Sequence, residues 1–352
     1  MPHARSLRGH TDTESVELNR STAGTVDLLV VGAGPIGIAC AVEARRVGLT
    51  ARVVEKGALA NSIIGYPAQM EFFSTPELLE IGNHPLASRR YKPLREEALD
   101  YYRGVADREG LDVRLGERVL AVEGEAGAFR VTTEKGVHEA RAVALATGFF
   151  DQPNRLDVPG EDLPHVANYY REPYAYAGRR VVVIGAKNSA AKAALECNRH
   201  GAHVTLVVRG PEVSPSVKYW IRPDLVNRIA DGAIAAHFNT TVERITPEHV
   251  HVRAPDGPLA LEADAVLALV GYRPDFAFLD AVGVATEGPM RAPVLDPDTM
   301  ESSRPGVYLA GTVCGGLNTS RWFIENGRIH AAQIAAHLAG RPAPVAVVQG
   351  QP

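Results

Sequence analysis

Thr25-Val-Asp-Leu-Leu-Val-Val-Gly32-Ala-Gly34-Pro-Ile-Gly37, with the apolar-periodic run Ile36 to Val47 behind it, decides the fold class. The residues up to Val31 form a buried-strand run that leads directly into glycines and then into a helix pattern. Arg52-Val-Val-Glu55 is a second short strand, so the segment reads as a βαβ unit. Within it Gly32 makes the tight turn, Gly34 lets a pyrophosphate approach the backbone, and Gly37 allows close helix–strand packing. Pro35 and Ile36 open the helix, whose free N–H groups and dipole favour phosphate. Glu55 ends the second strand, where a carboxylate accepts from adenosine ribose hydroxyls, with Lys56 beside it.

Downstream, Arg95 to Glu109 reads as an amphipathic helix. Short alternating runs then follow at Asp112–Leu115, Arg118–Glu123, Phe129–Thr133 and Val137–Arg141, the pattern of an antiparallel meander. Ala142 to Ala146 resumes a buried strand and meets Thr147-Gly148. The whole pattern recurs: strand Arg180–Ile184, turn at Gly185, helix Ala190 to His200, strand Ala202 to Val208, a meander from Ala233 to Ala263, then Ala265–Val270 and Gly271. This is a divergent internal duplication. A last segment runs from strand Val307–Ala310 through Gly311-Thr312 into a long helix expected over about Thr319 to Leu338. It completes neither half alone. The expected architecture is therefore α/β, with two Rossmann-like dinucleotide-binding domains of the three-layer ββα type, the second inserted in the first. The expected boundaries are 26–160 with 291–352 for the first domain and 161–290 for the second.

The second glycine loop, Gly185-Ala-Lys187-Asn188-Ser189-Ala190, carries lysine where the first has its middle glycine. A side chain there hinders close backbone approach unless the ammonium itself meets the phosphate. The strand after it ends in Arg209 and lacks an acid. An acid there would accept from a free 2′-hydroxyl, whereas Arg209 pairs with a 2′-phosphate, so NADPH is expected over NADH. Lys218 is a second candidate contact for it.

Composition sets the outer limits. The 352 residues are 45% hydrophobic and 22% charged with a formal net charge of −4, a balance that suits globular cores and gives no electrostatic footprint for nucleic acid or a membrane surface. The longest apolar runs are strand-length, well short of a bilayer span. Residues 1–25 are polar, without the apolar core of a secretory signal, and read as a mobile tail. Three cysteines, Cys40, Cys197 and Cys314, make no disulfide framework and fit a reducing, cytoplasmic setting. No metal-ligand cluster and no nucleophile-elbow motif stands out.

Together these motifs resemble the two-domain flavoprotein disulfide reductase superfamily, at the size of low-molecular-weight thioredoxin reductases. Gly65-Tyr66-Pro67 to Gly82, Lys92 to Arg103, Gly185 to Ala190, Ser216 to Ile221 and Phe323 to Arg328 resemble one branch more closely, the bacillithiol disulfide reductase family. The resemblance implies FAD in the first domain, NADPH in the second, and hydride transfer from NADPH through flavin to a low-molecular-weight disulfide. It makes Thr147-Gly148 and Gly271 the tight crossings over each dinucleotide. Gly311 and Thr312 lie beside the flavin, ahead of a helix whose N-terminal end faces the pyrimidine. Tyr66, Pro67 and Phe72 become candidates for the flavin wall. Arg89, Lys92 and Arg95 become candidates for the carboxylates of the substrate. A homodimer or homotetramer is the expected assembly.

The usual thiol relay is missing. The stretch that holds Cys-x-x-Cys in thioredoxin reductases is His165-Val-Ala-Asn-Tyr-Tyr-Arg-Glu172 here, and residues 56–80 contain no cysteine either. Of the three thiols, Cys314 is the candidate for a redox role, beside the flavin turn and before a helix N-terminus that lowers a thiol pKa. Two alternatives stay open at this point. One is a reductase of ferredoxin or flavodoxin, which also lacks the cysteine pair; the other is a nucleotide-binding redox sensor without turnover.

Overall fold

The run Val26–Val31 forms the central strand of a seven-stranded sheet, buried on both faces as its unbroken apolar pattern requires. A computed structural model describes residues 24–342; the expected tail of residues 1–25 lies almost wholly outside the described residues, as do residues 343–352. Strand Val26–Val31 pairs in parallel with Ala51–Val54 on one side and Val137–Leu145 on the other. The nine-residue strand Val137–Leu145 ties the sheet together. Its first half pairs antiparallel with Ala128–Thr133, and its last three residues pair in parallel with Val307–Leu309. The chain thus returns to its first sheet after the second unit has been built.

That second unit has a five-stranded parallel sheet in the order Ala235–His237, His203–Val207, Arg180–Ile184, Ala265–Ala268, Val166–Ala167. A separate antiparallel sheet, Thr241–Ile245, His249–Ala254 and Gly257–Glu262, packs its Ile245, Val250 and Val252 onto Val182, Ile184 and Val266. The fold is the expected α/β duplication of dinucleotide-binding units.

The structure corrects the expectations in the same way in both halves. Asp112–Arg114 pairs in parallel with Ala51–Val54, and Ala235–His237 pairs in parallel with His203–Val207. Each is an edge strand of the parallel sheet and not the first strand of a meander. Three residues carry too few alternating positions to reveal which sheet they join. Val137 to Leu145 is also one strand where two were expected.

The C-terminal helix starts later than Thr319. A short helix, Ile324–Gly327, is followed by Ile329–Leu338. Asn326 sets this start: its Oδ1 accepts the Phe323 N–H at 2.7 Å and its Nδ2 donates to the Arg321 carbonyl at 3.0 Å.

The crossings between units also fall earlier than residues 160 and 291. Leu156, Val158 and Leu163 pack against the second unit, while Phe276, Leu279 and Val282 belong to the first core. The two crossings run side by side, with Asn154 N–H donating to the Gly271 carbonyl and Arg273 N–H to the Gln152 carbonyl, each at 2.9 Å. Both boundaries were hidden because the crossing segments carry the same glycine and apolar signals as the units they join.

Candidate dinucleotide cavity

Each glycine loop is fixed by a steric demand that only its own residue meets. Gly32 has φ +106°, and a Cβ there would lie 2.6 Å from the Ala146 carbonyl oxygen. Gly185 is its counterpart, at φ +140° and 2.4 Å from the Leu269 carbonyl oxygen. Each loop therefore passes directly under the crossing that closes its own unit. Gly37 lies behind the first loop, where a Cβ would sit 1.8 Å from the Gly32 carbonyl oxygen.

The middle position differs in kind. Gly34 (φ −72°, ψ 175°) and Lys187 (φ −100°, ψ −173°) are both extended N-caps of their helices. Any residue adopts that backbone, so lysine in the second loop costs no strain and only adds its side chain to the site.

Both loops open into a single cavity of ≈ 1070 Å³. From the first unit Gly32, Gly34, Pro35, Ile36, Glu55 and Lys56 line it, with Thr147, Gly148, Gly311 and Thr312 across from them. From the second come Gly185, Lys187, Asn188, Ser189, Arg209 and Gly271. Tyr66, Pro67 and Phe72 stand at the wall between the units.

Glu55 is 7% exposed and held by two backbone donors, Ala33 N–H to Oε2 at 2.8 Å and Gly57 N–H to Oε1 at 2.7 Å. The carboxylate is fixed with its remaining lone pairs free for ribose hydroxyls. Lys56 makes a close ion pair with Asp151, which also lines the cavity, and burial holds its pKa below the ordinary lysine range. Arg209 is exposed at its strand end and has no side-chain partner among the described residues.

Two sets of phosphate- and ribose-directed groups face the cavity. It has two helix N-termini for phosphate, a carboxylate pre-oriented at the end of one second strand, and a free guanidinium at the end of the other.

Seven of the expected residues lie off the lining. Gly37 and Ala190 sit beneath their loops as packing positions. Lys218 turns its ammonium over the rings of Phe73 and Trp220, at 5.7 and 5.8 Å, and its backbone N–H donates to Asn188 Oδ1 at 2.9 Å. It steadies the loop and does not reach the cavity. Lys92 stacks on Trp220 at 3.8 Å, and Arg89 is exposed outside the cavity. Arg95 is occupied: its guanidinium donates to the carbonyls of Ile63 (3.0 Å) and Ile64 (2.9 Å) and to Glu96 Oε1 (2.7 Å). That basic run is therefore structural or remote, because the helix it opens faces the Asn61–Ile64 turn and not the cavity.

Cys314 is the sharpest correction. The turn Gly311–Gly315 folds it inward, 5% exposed and off the cavity lining, with Sγ 3.9 Å from His330 Nδ1. Burial, with Cys40 nearby, pushes its pKa far up, so a thiolate is not available there. The first turn of helix Ile329–Leu338 reaches it through His330, yet burial prevails over that helix end. Cys40 and Cys197 are buried too, each pushed up to about 12.

The residues that sequence reasoning missed are aromatic. Phe150 touches Tyr66 (4.9 Å), Tyr272 (4.7 Å) and Tyr169 (5.2 Å), and Tyr169 stacks on Tyr272 (5.5 Å, 24°). All four line the cavity where the units meet. Tyr272 directly follows the crossing glycine Gly271, Phe150 lies two residues after Gly148, and Tyr169 lies in the stretch where a relay cysteine was sought. Those positions were the available signal.

Two stacked dinucleotide-binding units that share one cavity define an oxidoreductase with a flavin and a pyridine nucleotide. The chain belongs to the pyridine nucleotide-disulphide oxidoreductase family, which it matches over residues 29–311. It is similar to Bacilliredoxin reductase Bdr of Bacillus subtilis, 40% identical over 315 residues that cover 89% of this chain and 97% of that protein. Among solved structures it is similar to Bacillithiol Disulfide Reductase Bdr (YpdA) from Bacillus cereus, with TM-score 0.88 and 39% identity over 90% of this chain and 99% of that one. Bacillithiol Disulfide Reductase Bdr (YpdA) from Staphylococcus aureus gives TM-score 0.86 and 38% identity, covering 90% of this chain and 98% of that one. The fold is thioredoxin-reductase-like, and family membership implies FAD and NADPH as the cofactors. No helix among the described residues is long and apolar enough to cross a membrane.

Proposed function

We propose that this protein carries electrons from NADPH through FAD to a low-molecular-weight disulfide of the bacillithiol type. The observation that carries this reading is the shared cavity: both glycine loops open into it, and no cysteine lines it. When bound, FAD supplies the acceptor for the hydride of NADPH and the donor for the disulfide. The chain's own residues do the rest. The first loop and Glu55 hold the adenosine and pyrophosphate of FAD, and Gly311 and Thr312 back its other end. Lys187 and the helix N-terminus at Asn188 hold the second pyrophosphate, and Arg209 selects the 2′-phosphate. The aromatic group of Tyr66, Phe150, Tyr169 and Tyr272 excludes water where the units meet.

The disulfide meets the flavin without a thiol relay from this chain, since Cys314 is walled off. The names of the two similar solved structures, from Bacillus cereus and Staphylococcus aureus, support the substrate class. The same reading places the protein in the cytoplasm as a homo-oligomer.

The test is anaerobic mixing of the FAD-loaded protein with NADPH, following flavin bleaching, then addition of bacillithiol disulfide, oxidised ferredoxin or flavodoxin in turn. Bleaching by NADPH and reoxidation by the disulfide are expected. Flavin that stays oxidised, or that only the protein acceptors reoxidise, sinks the proposal.

A further inference from the structure

The segment Glu212–Ile221 belongs to no helix or strand, yet it touches both units. Val213 and Val217, both buried, root it in the second core. From that footing it bonds twice to the second glycine loop. Ser214 N–H donates to the Ala186 carbonyl at 3.1 Å, and Lys218 N–H donates to Asn188 Oδ1 at 2.9 Å. Ala186 and Asn188 both line the cavity. Two residues beyond Lys218, Trp220 lies against the first unit. Its ring meets Phe73 edge-on, with centroids 5.9 Å apart and planes at 73°, and Lys92 Nζ stands 3.8 Å from its centre.

The receiving side is as firmly built. Phe72 N–H donates to the Pro93 carbonyl at 2.9 Å, and Glu71 bridges Leu94. The segments that carry Phe73 and Lys92 are therefore paired, and they present a ring and an ammonium together. Phe73 lines the cavity beside Phe72 and Tyr66. One short stretch thus runs from the phosphate loop of one site to the wall of the other. Burial does not account for it, because Trp220 stays 41% exposed and saves little apolar surface. An edge-on aromatic pair and a cation over a ring are directional, so they fix a distance and an angle where burial fixes neither.

We propose that Trp220 is the positioning residue that sets the nucleotide loop of the second unit against the flavin wall of the first. Hydride transfer needs its two reacting atoms about 3–3.5 Å apart, and a misplacement of about 1 Å slows it steeply. The bond from Lys218 to Asn188 ties the Trp220 ring to the loop itself, so a phosphate arriving there is felt at the ring. This rests on the reading that the second loop binds NADPH and the first FAD.

The experiment is stopped-flow bleaching of the FAD-loaded protein by saturating NADPH, beside calorimetric titration with 2′,5′-ADP, which fills only the adenosine and phosphate end of the second site. Trp220→Ala should slow bleaching on the order of tenfold or more and leave 2′,5′-ADP affinity within about twofold. Trp220→Phe keeps a ring between Phe73 and Lys92 and should recover most of the rate. In a Trp322→Phe protein Trp220 is the one tryptophan of the chain, and 2′,5′-ADP should shift its emission. An unchanged rate in Trp220→Ala, or a loss of 2′,5′-ADP affinity as large as the loss of rate, would overturn the positioning role. So would emission that stays fixed while calorimetry shows 2′,5′-ADP bound. If wild-type flavin is not bleached although 2′,5′-ADP binds, the proposed electron path fails and the emission alone decides the link to Trp220. If 2′,5′-ADP does not bind, the reading of the second loop falls first and the positioning role with it.

Discussion

His330 makes the turn Gly311–Gly315 sensitive to acid, and the size of the effect follows from its surroundings. The imidazole is 1% exposed on helix Ile329–Leu338, and Nδ1 accepts the Gly311 N–H at 3.0 Å. Trp322 packs edge-on against the ring at 4.4 Å, and the Cys314 thiol lies at 3.9 Å. Burial, reinforced by the Arg321 charge, lowers its pKa from 6.5 to about 4. The neutral ring is the one the fold needs, because a proton on Nδ1 would face the Gly311 N–H donor to donor.

An unfolded chain takes up that proton near pH 6.5 and the native protein only near 4, so the unfolded state binds more protons between those values. The contribution is therefore complete above about pH 6.5 and is lost as pH falls toward 4. At 1.36 kcal/mol per unit, the shift amounts to about 3 kcal/mol. Denaturant unfolding across pH 4 to 8 measures it, with His330→Asn as the control, since an amide oxygen replaces the Nδ1 acceptor and does not titrate. The wild-type stability should fall by about 3 kcal/mol more than the variant's over that span. Parallel curves for the two proteins would refute the argument.

Three further outcomes follow from the cavity. Arg209→Ala should weaken NADPH on the order of tenfold or more and NADH much less, as titration with each reduced nucleotide will show; equal losses would remove the 2′-phosphate assignment. Glu55→Gln turns an amide N–H toward one of two backbone donors, so stability should drop by about 2 kcal/mol and FAD should be lost on gel filtration, read from the flavin absorbance. Cys314→Ser should leave disulfide turnover unchanged while lowering the melting temperature by a few degrees, because it places a hydroxyl in an apolar site; a large loss of turnover would restore the thiol relay.

The fold was legible wherever chemistry leaves one residue type able to do the job. Gly32, Gly37 and Gly185 answer steric demands below 3 Å, and Glu55 answers a demand for a fixed acceptor, so their spacing alone announces the units. What was not legible depends on where a side chain turns after the backbone is set. Arg95, Lys92 and Lys218 form a basic series in sequence, yet the first clamps carbonyls and the others lie on aromatic rings. Cys314 follows a glycine turn that the sequence shows, but a tight turn hides which way its residues point. The aromatic junction was invisible for a related reason. Its members come from four separate segments, and only the crossing of the two units brings them together.

The missing thiol pair and the aromatic junction are two sides of one arrangement. A relay through protein cysteines needs a pair positioned between flavin and acceptor; here Tyr169 and Tyr170 occupy the stretch where such a pair would lie, and both line the cavity. Tyr169 is tied down, its hydroxyl donating to the Phe150 carbonyl at 2.8 Å and its ring stacked on Tyr272. The three cysteines of the chain are meanwhile all buried, with pKa values raised by burial. Removing the relay therefore leaves a cavity wall of apolar faces and hydroxyls that cannot itself be oxidised to a disulfide. Such a wall suits an acceptor that brings its own sulfur–sulfur bond to the flavin, because every electron then goes to the substrate and none is stored in the protein.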